Sequence, residues 1–349
     1  MPVPEELIEI GSRHQVYLEG LKTHEANKVE SFLRDMSRDV TRQLRDTSLK
    51  DVNKARLARL LSSINRDLDI LTGEFEQQLK LSMQEIGAYE AGFEGRALQQ
   101  VVGTEFAIPS SNQLHVAALE RPLSFNGQLI DPYVVGVSKD VRDSITGAIR
   151  AGYFQGQSTT RIIENLKSRG GTFGQTEVWL RTMVRTSLQH AAEIARQEVW
   201  NANSDVVKGV VWVSTLDGRT SVRCRDLDGH RYAIDEGPRP PIHPNCRSRT
   251  VADLDGAAGQ LSEGRVRFAR EEGGKVVYQD AKKEYYDWLV ERPDSFVDSV
   301  IGPTRRKLLR EGGLSRNRFK ELQLHRNFKP RTLEDMRKLE PLAFERAGI

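Results

Sequence analysis

The sequence has little cysteine, no long apolar run and no large excess of charge of either sign. Two cysteines in 349 residues are too few for a disulfide scaffold, which indicates a reducing intracellular compartment. No stretch approaches the ~18 consecutive apolar residues of a transmembrane helix. The first residues, MPVPEELIEIGS, lack the basic and apolar regions of a secretory signal. The length is typical of roughly two or three folded domains.

The sequence also lacks the short motifs of several enzyme classes. It contains no GxxxxGKS or GxxxxGKT phosphate loop, no GxGxxG fingerprint, no HExxH and no GxSxG. An ATPase, a Rossmann enzyme, a zinc protease of the HExxH type and an α/β-hydrolase are therefore not supported.

Positive charge is concentrated at the carboxyl end. Residues 301–349 contain thirteen Lys or Arg and six Asp or Glu, a net charge of +7, whereas the whole chain carries +3. Such a segment predicts binding to phosphate backbones through counterion release. The candidate contacts are Arg305, Arg306, Lys307, Arg310, Arg316, Arg318 and Lys320. Because acidic residues are interspersed, a solvated helical surface explains the same pattern.

The spacing of apolar residues predicts an α+β protein that is predominantly α-helical. In residues 24–100 apolar side chains recur every three or four positions. This spacing indicates long antiparallel helices, so residues 1–101 are assigned to a helical hairpin or bundle region. The segment after Asp46 interrupts the pattern, and Ser48 and Asp51 are spaced as in a helix cap.

Turn-forming residues mark the remaining organisation. Proline and glycine pairs predict that residues 102–137 are a linker with short extended pieces. Residues 138–250 are predicted to be a compact module with a small β-sheet, and residues 251–349 a basic helical C-terminal region. The predicted elements are helices at Asp140–Ala151, Ser158–Ser168 and Gln175–Asn203, strands at Gly209–Ser214 and Tyr232–Ile234, and helices at Glu284–Val290, Val297–Glu311, Arg318–Leu324 and Leu333–Phe344.

Both cysteines and two of the seven histidines lie in one window, residues 212–250. Cys224, His230, His243 and Cys246 supply two thiolates and two imidazoles, the donor set of a tetrahedral structural zinc site. The five residues between Cys224 and His230 exceed the usual spacing at such sites. A turn core with both cysteines as small hydrophobic residues and a Cys224–Cys246 disulfide remain alternatives. A cysteine nucleophile is disfavoured, because neither cysteine has a local nucleophile signature.

Two further polar sets lie near this window. Arg181 and Arg185 face the same side of a predicted helix, which predicts contact with a phosphate or a partner, or an ordinary solvated face or ion-pair network. Asp217, Asp226 and Asp228, with Arg219 and Arg223, would suit metal binding or acid–base work. The Asp-Gly pairs among them indicate turn formation instead.

In this window the sequence resembles the phage head morphogenesis, or minor head, family typified by the F protein of phage Mu. The resemblance covers about residues 140–250 and rests on four parts in order. They are Arg185-Thr186 in a helix; Trp212, Asp217 and Arg219; Cys224, Leu227 and Gly229; and the closure Pro240-Pro241-Ile242-His243-Pro244-Asn245-Cys246-Arg247. The segment from Tyr285 to Leu314 also looks like the tail of many tailed-phage minor head proteins.

The sequence departs from the family pattern at one position. Many members have Cys-x-x-Cys before the Leu-x-Gly, whereas here Ser221 stands first and only Cys224 remains. A site of four ligands would need His230 or an Asp as the fourth. The departure therefore favours a purely structural role for the window.

The resemblance implies a minor head protein of a tailed bacteriophage, present in few copies inside the virion head and in the host cytoplasm during assembly. The partners it implies are the portal protein, the major capsid or scaffolding protein and packaged double-stranded DNA. Its implied roles are head morphogenesis, capsid assembly and genome packaging or DNA ejection. With no catalytic constellation recognised, binding and assembly are expected rather than catalysis.

Some relatives carry toxin or nuclease domains after the shared module, which suggests an alternative. A nuclease or group-transfer toxin in the C-terminal region would use His325 with Arg326 or Glu321 as an acid–base pair. A solvated histidine at a helix end is the simpler explanation.

Overall fold

The computed structural model describes residues 5–47, 49, 52–254, 264–325 and 329–349, and within them it confirms a mostly helical α+β protein. The helices are α1 (Glu5–Thr47), α2 (Lys54–Val102), α3 (Ser111–Glu120), α4 (Ile130–Phe154), α5 (Thr159–Lys167), α6 (Thr172–Ala202), α7 (Val222–Leu227), α8 (Tyr285–Val290), α9 (Asp294–Ile301), α10 (Pro303–Glu311), α11 (Arg316–Gln323), α12 (Leu333–Leu339) and α13 (Pro341–Arg346). The strands are β1 (Val207–Val213), β2 (Arg231–Ala233), β3 (Arg249–Leu254), β4 (Val266–Arg270) and β5 (Val276–Asp280).

Helices α1, α2 and α6 pack on one another and bury the apolar positions that the sequence predicts. Val29, Met36 and Leu44 of α1 lie in the same apolar cluster as the buried face of α2. The cap expected at Ser48 and Asp51 lies outside the described residues. The observed N-cap of α2 is Asn53, whose side chain accepts a hydrogen bond from the backbone N–H of Arg56.

The extended pieces expected in residues 102–137 are wrong for much of this segment. Ser110 forms a capping box with Gln113 and begins α3, and α4 begins at Ile130. Pro132 lies in the first turn of α4, where a proline removes no intrahelical hydrogen bond. The same residues that mark turns also mark helix starts, and here they begin helices.

Strand β1 is the centre of a three-stranded antiparallel sheet in the order β2-β1-β3. Val211 pairs with Arg231 of β2, and Trp212 pairs with Thr250 of β3. Val210 packs with Trp200 of α6, whereas Val211 packs with Ile8 of α1. Both faces of β1 are therefore covered by helices, which explains its continuous apolar run.

Strands β4 and β5 form a separate hairpin that the sequence analysis did not predict. Its turn contains Gly273 and Gly274, both with positive φ, which glycine adopts without steric cost. The hairpin is fastened to the loop after β1, because the N–H of Arg270 donates to the carbonyl of Leu216 at 2.7 Å.

The C-terminal helices surround a core of aromatic residues that includes Tyr285, Trp288 and Phe319. The sequence predicted one helix over Val297–Glu311, but the structure has two, α9 and α10. Gly302 (φ 80°) separates them, and Pro303 is the first residue of α10. Similarly, α12 and α13 are separated at Pro341. None of the described helices has the length and apolar character needed to cross a membrane.

Candidate metal centre

The first cysteine is positioned by the turn that follows β1. Asp217 accepts hydrogen bonds from the N–H of Arg219 at 2.9 Å and from the hydroxyl of Thr220, as in an Asx turn. Ser221 then caps α7 and accepts from the N–H of Cys224 at 3.3 Å. The turn that the sequence predicts at Asp217-Gly218 therefore directly precedes α7, the short helix that contains Cys224.

The second cysteine lies in the His-Pro-Asn-Cys closure. Asn245 has φ 59°, a left-handed conformation that asparagine tolerates, and the N–H of Cys246 donates to the carbonyl of His243. The N–H of Asn245 donates to the hydroxyl of Thr186 at 3.1 Å, and its side-chain amide to Thr182 at 3.0 Å. The Arg-Thr helix and the closure, distant in sequence, are therefore held together directly.

Three of the four predicted ligands meet. The sulfurs of Cys224 and Cys246 are 3.7 Å apart, and Nε2 of His243 lies 3.2 Å from the sulfur of Cys224. Among the described residues, these three donor atoms all lie within 4.8 Å of one another. The cysteines also belong to a small apolar cluster with Trp212, so the predicted turn core and the predicted ligand group coincide.

His230 is not part of this group. Helix α7 ends at Leu227 and the chain turns at Gly229 (φ 83°) toward β2. The N–H of His230 donates to the carbonyl of Leu227, and its ring contacts Tyr232 edge to face at 6.4 Å. Burial and the nearby Lys320 ammonium lower the pKa of His230. The five-residue spacing thus places His230 away from the two sulfurs.

The ring of His243 is oriented by a backbone carbonyl. Its Nδ1 lies 2.8 Å from the carbonyl oxygen of Pro244 and donates to it, so Nε2 faces the sulfurs. A histidine that ligates a metal commonly has its other ring N–H held in this way. The hydroxyl of Ser221 lies 2.8 Å from the same Nε2, at the sequence position where many family members have a further cysteine.

The two thiols have opposite pKa shifts. Burial raises the pKa of Cys224 well above its usual range, and the neighbouring Cys246 adds to the shift. Burial would also raise the pKa of Cys246, but hydrogen bonds from Cys224 and His243 outweigh it and hold that pKa well below its usual range. Burial alone would lower the pKa of His243, but the hydrogen bond with Cys246 raises it. Of the two thiols, Cys246 is therefore the one that loses its proton more readily.

The donor set and its dimensions fit a soft divalent metal. Two sulfurs bound to a tetrahedral zinc at about 2.3 Å each are about 3.8 Å apart, close to the 3.7 Å between these cysteines. A disulfide requires about 2.05 Å. Cys224, Cys246 and His243 would be three ligands, and Ser221 or a water the fourth.

The polar face of α6 is an intramolecular network. Arg185 pairs with Glu19 of α1 and donates to Thr23, and Arg181 donates to Asn27. Of the carboxylates near the cysteines, Asp217 pairs with Arg247, and Asp228 is buried against Arg267. These charges hold elements together, as the ion-pair interpretation of the sequence anticipated.

The residues predicted to contact nucleic acid are largely engaged within the fold. Among the described residues, six of the seven have a partner and Lys307 has none. Arg306 pairs with Asp294 and Asp298, Arg310 with Asp294, and Arg316 with Asp287. Arg318 pairs with Glu321 and Glu340, and Lys320 with Glu284. Lys320 also donates to the carbonyl of Asp228, and Arg305 donates to the carbonyl of Arg331. The predicted DNA surface stays a prediction, with fewer free charges than its sequence indicates.

The alternative catalytic set is dispersed. His325 is half exposed and lies 3.7 Å from Asp335, whereas Glu321 pairs with Arg318. Arg326 lies outside the described residues. His325 and Glu321 therefore have separate partners rather than forming the expected acid–base pair.

The fold and the centre together define a mostly helical α+β protein with a Cys/Cys/His group on a small sheet. Residues 139–251 match the family described as Phage Mu protein F like protein, and this match implies a phage head-related protein. The family implies a place in the virion. Comparison with curated proteins and with solved structures finds no match.

Proposed function

We propose that this protein is a minor head protein of a tailed bacteriophage that binds the portal and acts in head assembly. The observation that carries the proposal is the match of residues 139–251, which spans the Arg-Thr helix, the central strand and the whole Cys/His closure. In this proposal a metal at the centre would have a structural role, because it would link Cys224 of α7 to His243 and Cys246 in the loop before β3.

The N-terminal helices supply a surface for the partner. Tyr17 of α1 and Tyr89 of α2 are 52% and 39% exposed, and their rings are 5.8 Å apart. Neighbouring exposed aromatic side chains are typical of protein interfaces. Arg185 and Arg196 of the matched module hold these helices through Glu19 and Glu90. A partner bound to α1 and α2 would thus be coupled rigidly to the module.

Contact with packaged DNA is a second part of the proposal. It rests on the excess of basic residues after position 300, of which Lys307 has no side-chain partner among the described residues. Binding of duplex DNA should be independent of sequence and weaken steeply with salt. Salt-insensitive binding, or none, would remove DNA from the list of partners.

The proposal is tested by quantitative mass spectrometry of purified particles, before and after genome release. We expect a few copies of this chain per portal ring, and loss on release would identify an ejected protein. Tyr17→Ser with Tyr89→Ser should lower the copy number, whereas Ile70→Ser, an exposed apolar position on α2, should not. Absence of the wild-type chain from particles would contradict the proposal.

A further inference from the structure

A large pocket lies beside the Cys/His centre, where several parts of the chain converge. It has a volume of about 1070 Å³ and is lined by α1, the amino-terminal half of α6, the loops that carry Ser221 and His243, and the β4–β5 hairpin. Pockets for small ligands are typically about 300–1,000 Å³. The pocket therefore has room for a complete small molecule.

The lining is strongly basic. Six arginines and only two carboxylates, Glu19 and Asp217, contribute to it. The arginines are Arg181, Arg185, Arg219, Arg247, Arg249 and Arg270. Such an excess of positive charge in a concave site raises the local concentration of anions.

Four of these arginines are held in place by the fold. Arg185 pairs with Glu19, Arg247 with Asp217 and Arg249 with Glu94. Arg181 is held by Glu177. Groups fixed before binding lose little freedom on contact with a ligand, so these four form a preorganised basic wall.

The other two arginines are exposed and less tightly held. The side chain of Arg219 is 71% exposed and makes one long ion pair with Asp217 at 3.8 Å, and Arg270 has no side-chain partner in the described part of the chain. Their segments are joined, because the N–H of Arg270 donates to the carbonyl of Leu216, three residues before Arg219. Two exposed guanidinium groups thus lie on adjoining segments that line one pocket.

The rest of the lining points to a ligand with more than an anionic group. Phe268, Val178 and Val276 contribute apolar surface, and the two valines are 63% and 46% exposed. The side-chain oxygen of Gln15 is buried and has no hydrogen-bond partner among the described residues. A buried acceptor of this kind is costly unless a donor reaches it, and a hydroxyl or amino group of a ligand would supply one.

We propose that this pocket binds a phosphate ester of the nucleotide class, whose phosphate meets the arginines, whose base packs on Phe268 and the valines, and whose hydroxyl or amino group reaches Gln15. The guanidinium fork matches phosphate oxygens, and a phosphate monoester carries more charge than a carboxylate to offset the exposed guanidinium groups of Arg219 and Arg270. The ligand is either a free nucleotide or the 5′-phosphorylated end of a single strand. This inference is independent of portal binding.

The test is isothermal titration of the full chain at low salt. The probes are inorganic phosphate, a nucleoside monophosphate, the matching nucleoside, an oligothymidylate with a 5′-phosphate and its 5′-hydroxyl twin. We expect the monophosphate to bind and the nucleoside not to bind, with affinity falling between about 50 and 200 mM salt. Tighter binding of the 5′-phosphorylated strand than of its twin and the free nucleotide would identify the strand end as the source. Equal or tighter binding of the monophosphate would identify the free nucleotide.

Variants assign the binding to the pocket. Arg219→Gln with Arg270→Gln should weaken the phosphate probes by about tenfold or more. The pair Arg66→Gln and Arg150→Gln removes the same charge from exposed positions on α2 and α4 that do not line the pocket, and should leave affinity unchanged. Because all four side chains are exposed, the melting temperatures should stay the same. No binding of any phosphate probe, or an equal loss of affinity in both pairs, would overturn the proposal.

Discussion

The sulfur of Cys246 is buried, and its neighbours are the Cys224 thiol and the His243 imidazole, which stabilise its thiolate form. A thiolate is the form that ligates metals, and its stabilisation before binding lowers the cost of losing the proton. The carbonyl of Pro244 accepts from Nδ1 of His243 and so orients Nε2 toward the sulfurs. The centre is thus preorganised for a soft cation.

The metal prediction is specific to three residues. The purified chain should hold about one zinc per molecule, and Cys246→Ala or His243→Ala should reduce this stoichiometry to near zero. His230→Ala should retain full metal content, because His230 lies outside the group. Inductively coupled plasma mass spectrometry after dialysis makes the measurement. Equal loss of zinc in His230→Ala would contradict the three-residue centre.

Asp226 is a buried carboxyl group with an unusual titration. Burial raises its pKa to about 7, although the hydrogen bond from Tyr286 and the charge of Lys320 act in the opposite direction. Because the folded pKa exceeds the unfolded value, the proton favours the folded state. Stability should therefore decline as pH rises from about 4 to about 7, by at most roughly 1.4 kcal/mol per pH unit.

Replacing this carboxyl group should remove the effect. Asp226→Asn should gain stability relative to the wild type as pH rises from 5 to 7.5, because its amide does not ionise. Urea unfolding at both pH values measures the difference, with Asp205→Asn, an exposed carboxylate, as the control. A wild-type-to-variant difference that is constant with pH would show that Asp226 titrates normally.

At the scale of elements, apolar periodicity predicts long helices well and loops poorly. The apolar stripes in residues 24–100 become α1 and α2, because buried side chains repeat once per turn. Strand β3 was not predicted, since it follows the closure without a turn signal. The hairpin β4–β5 carried such a signal in Gly273-Gly274, between two runs rich in valine and aromatic residues.

The pairing of β1 with β2 depends on a glycine. A Cβ at Gly209 would lie 2.5 Å from the backbone carbonyl oxygen of Tyr232, which cannot move without breaking the pairing. Gly209→Ala should therefore destabilise the protein by about 1–3 kcal/mol. Gly147→Ala, in α4 with no atom near the added carbon, should be neutral or stabilising by up to about 1 kcal/mol. Thermal unfolding distinguishes the two, and equal effects would contradict the steric argument.

At the scale of the whole molecule, a buried ionic network joins the N-terminal helices to the matched module. Arg196 of α6 pairs with Glu90 of α2 at 2.6 Å and with Glu193 at 2.5 Å. Glu90 in turn contacts His14 of α1, and Glu193 accepts a hydrogen bond from Thr250 of β3. Four elements therefore depend on charges that are all removed from water.

Removing the central cation should be costly. Arg196→Met leaves two buried carboxylates without their partner and should destabilise the fold by about 3–5 kcal/mol. Arg38→Met breaks an exposed pair on α1 and should cost less than about 1 kcal/mol. Urea denaturation followed by tryptophan fluorescence compares them, and a similar small loss in both would show that the network contributes little.

The sequence by itself determined the helical class and the long helices of residues 24–100, because these depend on apolar periodicity, and it placed Cys224, His230, His243 and Cys246 in one window as candidate ligands. The sequence did not show that His230 lies outside the ligand group. The number of residues between Cys224 and His230 does not determine the direction of the chain after α7. The sequence also did not reveal that most of the tail's arginines and lysines are paired, or that Arg219 and Arg270 share a pocket. Those facts depend on contacts between residues far apart in the chain, which only the tertiary structure decides.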